Sequence, residues 1–272
     1  MRKLVTIVLS LIVLLLIITA IVYRQTIFDF VSNMNRAAEA PAPQSFVEVA
    51  ASPSFSEPFI PDEAEVSSVI VTPIAPLSNI PSAFNLAVPF TSQAPLANWD
   101  VVHEDTCEEA AIYMVNAFYE SWPAGKIDPE KADADILKIV EFEKVLFGFF
   151  ESTTAAQIVI LTEQMYGYER VEVIEDPTID DLKNHLAAGR PVFVPSAGRM
   201  LGNPNFTGEG PLYHALVLKG YTETTFVTND PGTRLGADYQ YDFDTVMNAM
   251  HDWNAGEVAS GAKVVVVIYP NE

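Results

Sequence analysis

From Leu4 to Tyr23 the chain is apolar for about 20 residues, broken only by Thr6, Ser10 and Thr19. A helix needs that length to cross roughly 30 Å of hydrocarbon. A cleavable export signal has a shorter apolar stretch, roughly 7–15 residues, and ends on small residues. Here Arg24 and Gln25 follow, then the bulky Ile27, Phe28 and Phe30. Residues 1–30 therefore read as a cytoplasmic N-terminus and an uncleaved transmembrane signal anchor. Arg2, Lys3 and the amino terminus outweigh Arg24, which by the positive-inside bias leaves the N-terminus in the cytoplasm. The expected location is a single pass through the cell membrane, with everything after residue 24 extracytoplasmic.

The anchor sets where folding can begin. Over residues 31–83 the composition shifts to Pro, Ala, Ser and Glu, and eight of the 19 prolines fall there: Pro41, Pro43, Pro53, Pro58, Pro61, Pro73, Pro76 and Pro81. Such a stretch buries too little apolar surface to offset its ordering entropy, and proline extends it, so it reads as a spacer. The β-rich piece Val66 to Thr72 is a candidate edge strand within it. Residues 84–272 are left, enough for one domain.

Helical signals come first in that domain. Thr106-x-x-Glu109 has the capping-box pattern, with Ala110, Ala111, Met114, Val115 and Phe118 at helical spacing behind it. A second helix is expected over about Ala132 to Phe149, and a third from the Thr154-x-x-Gln157 box to about Met165. Arg170 to Ile174 is a strand candidate, and Thr178 caps a short helix ending at Gly189. Strand patterns then dominate, over Pro191–Pro195, Leu212–Lys219, Thr225–Asn229 and Lys263–Tyr269, with one late helix over about Phe243 to Trp253. Helices first and antiparallel strands later suggest an α+β domain with a cleft between its halves.

Charge and cysteine content narrow the chemistry. With 15 Lys+Arg against 36 Asp+Glu, the formal charge of −21 argues against nucleic-acid binding and against docking on anionic lipid through a basic patch. A single cysteine, Cys107, excludes an internal disulfide and any thiolate-rich metal site, and the four histidines show no metal-ligating pair. No phosphate-binding glycine loop is present. Neither a cofactor nor a metal is expected. Asp128, Asp133 and Asp135 lack the glycine and spacing of a calcium loop and read as a solvated face.

Cys107 would stand at the first position of its helix, where backbone N–H groups and the macrodipole favour a thiolate. His214 lies in a strand pattern beside Leu212, Leu216 and Leu218. A turn centred near Thr222 would set His214 directly opposite Asp230, close enough for the carboxylate to hold the imidazole; a one-residue slip would offer Asn229 instead. Gln93, shortly before the cysteine helix, could donate its amide to an oxyanion. His103 reads as a polar loop residue. The Gly198–Gly210 stretch is a candidate cleft wall or lid.

A helix-start cysteine, a strand histidine and a hairpin Asp or Asn, in that order, form a thiol acyl-transfer set. Val88-Pro-Phe-x-x-Gln93, Trp99, Cys107 with its apolar helix, His214-Ala-Leu-Val-Leu-Lys-Gly-Tyr221 and Asn229-Asp-Pro231 resemble the papain-like cysteine peptidases, in the branch similar to the bacteriocin-processing, double-glycine-leader peptidases. The resemblance spans about residues 86–268. It implies a papain-like fold with Gln93 as oxyanion donor, Cys107 as nucleophile, His214 as base, Asp230 as orienting acid, and a peptide or protein as substrate. Glu108 and Glu109 stand where that family commonly has small residues, and two carboxylates there would raise the thiol pKa. The alternative reading is a catalytically inactive papain-like peptide-binding module tethered at the cell surface.

Overall fold

The computed structural model describes residues 40–50 and 80–271, together with isolated helical positions between 13 and 39. The candidate anchor, apart from a few of those positions, and the Val66–Thr72 piece lie outside the described residues. No helix among the described residues is long and apolar enough to cross a membrane. Contacts divide the chain into two units, Met1–Glu39 and Ala40–Glu272. The second unit holds every element named below.

Its centre is an antiparallel sheet. The strands are β1 (Phe84–Asn85), β2 (Val171–Glu175), β3 (Val192–Ala197), β4 (Tyr213–Tyr221), β5 (Thr225–Asn229), β6 (Tyr239–Asp242) and β7 (Val264–Ile268). They run in the order β2-β7-β3-β4-β5-β6, with β1 pairing the end of β4 that β3 does not reach. β4 and β7 are buried along their whole lengths. An unbroken Val-Val-Val-Val-Ile run is what a strand covered on both faces requires. At Gly220 the β1 backbone comes so close that an added Cβ would overlap the Phe84 carbonyl oxygen, so only glycine fits.

The helices are α1 (Phe46–Ala50), α2 (Cys107–Tyr119), α3 (Pro129–Leu146), α4 (Ala155–Tyr166), α5 (Ile179–Ala187), α6 (Gly198–Leu201) and α7 (Phe243–Ala249), with short 3-10 turns at His103–Asp105 and Val258–Ser260. α2 is the central one. Every residue from Cys107 to Phe118 is buried, and the helix packs across β4. Local chemistry explains most boundaries. Asp128 caps α3 with Pro129 at its first position, full capping boxes open α4 (Thr154/Gln157) and α5 (Thr178/Asp181), and Gly167 closes α4 in the left-handed conformation.

The structure differs from the sequence reading at several places. Thr106 makes no side-chain cap; its hydroxyl donates to the Gln93 carbonyl oxygen at 3.1 Å, and Glu109 points into the core rather than back to the helix start. The late helix stops at Ala249, because Met250 pairs with Ser196 and Asp252 turns to accept from the Ala155 N–H at 2.8 Å. β6, only four residues long, showed no readable period. Finally, residues 40–50 do not behave as spacer. The Gln44 N–H donates to Asn85 O and the Ala87 N–H donates to Gln44 O, while Asn85 Nδ2 donates to Pro41 O. Phe46 meets Phe118 and Tyr119 edge-on at 5.7 and 5.3 Å, and Val49 is 3% exposed. Two apolar side chains, Phe46 and Val49, among prolines and alanines were diluted by the surrounding composition.

This docking makes a measurable claim. Phe46→Ala should lower the denaturant-unfolding free energy of the domain by about 1–3 kcal/mol, the value of burying one aromatic side chain. An unchanged midpoint would mean that the segment rests on the surface without holding it.

Candidate active site

α2 lays Cys107 against β4, the strand that carries His214. Cys107 opens α2 as expected and is 4% exposed. Its Sγ lies against the backbone N–H of Ala215, one residue along β4 from His214. His214 is 1% exposed, and its Nε2 is 2.7 Å from Asp230 Oδ1. With Nε2–H given to the carboxylate, the neutral ring keeps its lone pair on Nδ1.

Asp230 is fully buried and accepts four hydrogen bonds. Besides His214, the Gly232 N–H donates at 2.9 Å, Asn203 Nδ2 at 3.0 Å and the Tyr241 hydroxyl at 2.6 Å. Burial pushes its carboxyl up, but His214 and these donors together hold it below the usual carboxylate value. Asn203 and Tyr241 were not anticipated from the sequence; neither occurs in a recognisable motif, and both reach the carboxylate only through the fold. Asn229, the other candidate partner, donates instead to the Val88 and Pro89 carbonyls.

The hairpin achieves this by a route other than the expected one. The turn lies later, with Tyr221 opposite Phe226, and Lys219 is an extra residue on β4 that shifts the register between Leu218 and Gly220. Beyond the bulge Val217 faces Asn229, which places Asp230 opposite Leu216 and diagonal to His214 on the same face. Had the turn-end register continued, Asp230 would oppose Val217 and point to the other side of the sheet.

Gln93 is 4% exposed and sits before α2, but both its amide protons are occupied: Nε2 donates to the His103 carbonyl at 2.8 Å and to the Glu104 carbonyl at 3.0 Å. His103 is buried rather than solvent-facing, with Nδ1 on Asp100 and Nε2 on Asp133. Asp135 accepts from Lys131, Lys138 and Tyr113. Among the described residues no cluster suits a metal ion.

A cleft of about 690 Å³ is lined in part by Gln93, Trp99, Glu104, Phe206, Gly232 and Arg234, but not by Cys107 or His214 themselves. Phe206 comes from the Gly198–Gly210 stretch and meets the His214 ring edge-on at 5.3 Å. A Cβ on Gly232 would sit 2.8 Å from His214 Cε1 and 2.9 Å from Phe206 Cε1, so glycine is required there. The imidazole therefore lies directly behind the cleft wall.

The thiol is surrounded by carboxyls. Burial first, then the charge and hydrogen bond of Glu108, push its pKa well up, against the help of the Ala215 N–H. Burial also raises Glu108, Glu109 and Glu143. Neither oxygen of Glu109 or Glu143 has a donor from another residue, and the two carboxyls face each other. Such a pair must share a proton.

A family model described as the Peptidase_C39 like family matches residues 85–258. A crystal structure from Bacillus anthracis, provisionally described as a C39-like peptidase, is similar at a TM-score of 0.47 and 15% identity, covering 69% of this chain and 98% of its own. No curated protein matches the chain.

The shared proton has a consequence for stability. Glu109 and Glu143 titrate higher in the folded state than when unfolded, so the native state binds more protons above the usual carboxylate range. Stability should fall as pH rises out of that range, by about 1.4 kcal/mol for each unit by which a carboxyl is raised. In thermal melts at acid and neutral pH, Glu143→Gln should flatten this dependence and melt higher than the native sequence at neutral pH. Parallel curves for the two proteins would refute the shared proton.

Proposed function

We propose a function from one premise: the chain belongs to the Peptidase_C39 like family, whose model covers residues 85–258. By that membership it is of the cysteine-type peptidases, and its substrate is a peptide or protein. The finer reading is a membrane-anchored, extracytoplasmic cysteine peptidase that cleaves through a Cys107–His214–Asp230 triad. The observation that carries it is the 2.7 Å bond between His214 Nε2 and a fully buried Asp230, one residue along β4 from the N–H that touches Cys107 Sγ.

The chemistry follows from that tautomer. Asp230 holds Nε2–H, so Nδ1 takes the thiol proton while Sγ attacks the substrate carbonyl carbon. The oxyanion so formed needs preorganised donors. The Cys107 backbone N–H at the helix start is one; Gln93 is the second, once its amide gives up the His103 or Glu104 carbonyl it now holds. The imidazolium then returns its proton to the leaving amine, and water, deprotonated by the same nitrogen, releases the acyl group from sulfur. Phe206 stands between cleft and ring, so productive binding involves its displacement.

The rival reading, a peptide-binding module without turnover, draws on one observation: the thiol proton points at Glu108 Oε2, 2.9 Å away, and not at the imidazole. Peptide-library cleavage by the full chain separates the two. Cys107→Ala should abolish cleavage, and Asp230→Asn should lower kcat by about 10²–10⁴-fold, the usual worth of a positioned base. Cleavage that survives Cys107→Ala overturns the triad.

The anchor reading of residues 1–30 supports attachment to the outer face of the cell membrane. Protease treatment of intact cells should release the domain into the medium. Protection until lysis would reverse the orientation.

A further inference from the structure

The acyl-transfer scheme makes no use of the group that holds the thiol. Cys107 Sγ donates to Glu108 Oε2 at 2.9 Å, and the other carboxylate oxygen, Oε1, accepts from the Thr153 backbone N–H at 3.0 Å. Both side chains are almost wholly buried. Glu108 is thus fixed against the reacting atom from two directions, by α2 and by the chain entering α4. Water cannot screen it from the sulfur.

We propose that Glu108 is a proton gate on Cys107: while its carboxyl is ionised the sulfur keeps its proton, and only when the carboxyl is protonated does the thiolate form. The inference rests on the cysteine-peptidase reading above. The balance is simple. One proton enters from solvent onto Glu108, and the thiol proton passes to His214 Nδ1. The products are a thiolate, an imidazolium and a neutral carboxylic acid whose O–H now donates to Sγ. No oxidant or co-reactant is involved. Acid, which suppresses an ordinary thiolate, would here create the nucleophile.

The surroundings favour that direction. On α2 itself, Glu108 faces Cys107 and Glu109; from α3 it feels Glu143; from β4, His214 and the Tyr213 hydroxyl, which donates to Thr153 O. Burial is the largest influence on Glu108 and favours its protonated carboxyl, and Glu109 and Glu143 beside it supply no cation to oppose that. A positive charge on His214 would oppose this, and Thr153 supplies only neutral donors.

Cys107 is the one cysteine in the sequence, so ultraviolet thiolate absorbance of the full chain reports it alone. The native protein should show more thiolate at about pH 5 than at about pH 8, the reverse of a free thiol, with iodoacetamide labelling faster at the lower pH by on the order of tenfold. In Glu108→Gln the amide can donate to sulfur at every pH. Its thiolate should persist to about pH 8, with labelling there on the order of tenfold faster than in the native protein. Thiolate that rises steadily with pH in the native protein overturns the gate, and this titration requires no variant to fold. An unchanged profile in a folded Glu108→Gln also overturns it. If Cys107→Ala still cleaves peptides, the peptidase reading itself fails; if Cys107→Ala is silent while native thiolate simply rises with pH, the gate alone fails.

Discussion

One buried carboxylate organises this domain. Asp230 has no exposed surface, and an ionised group taken out of water is tolerated only where charge and hydrogen bonds replace hydration. Its four donors come from four places in the chain: β4, the loop after α6, the turn after β5, and β6. Satisfying one charge therefore fixes the imidazole tautomer, ties down the start of the Phe206 loop and sets the position of the edge strand β6. Removing a single donor would leave an acceptor short at the centre of all four. The cleft wall and the base are in this sense one network.

The second constraint is the competition at the start of α2. A helix N-terminus favours an anion by about 0.3–1 kcal/mol. Two unit charges about 3 Å apart repel by about 5 kcal/mol even at an effective dielectric of 20. Cys107 sits at that terminus, but Glu108 is 2.9 Å from its sulfur. The carboxylate wins, which is why position at a helix start is not sufficient to make this cysteine reactive in its resting state.

Much of the fold was legible because its signals are local. The Thr154 and Thr178 boxes, the Gly167 stop and the β-branched run of β7 each carry their structure in a few adjacent residues. Thr106 fitted the same pattern and failed, since the Gln93 carbonyl competed for its hydroxyl and the core took Glu109. A box records what a segment can do alone; a nearby backbone acceptor can outbid it. The pairing of His214 with Asp230 was reached with the wrong turn and no bulge. The face came out right because the later turn and the extra residue together moved the register by two positions, and a sheet repeats its faces every two. Gln93 was placed correctly next to α2, but its engagement by two carbonyls depends on the 3-10 turn at His103–Asp105, which left no periodic signal. Asn203 and Tyr241 belong to the same class of residue, invisible until the chain closes on itself.

The bulge at Lys219 also limits how this hairpin can vary. Identity at positions 214 and 230 is necessary for the bond but not sufficient, because the number of residues between them decides on which side of the sheet the carboxylate emerges. Loss or gain of a single residue between them would leave both side chains in the sequence and put the sheet between them. Two would restore the side and change only the reach. Length variation in this segment is therefore tolerated in even steps or not at all, a constraint written in the spacing of the chain rather than in any of its letters.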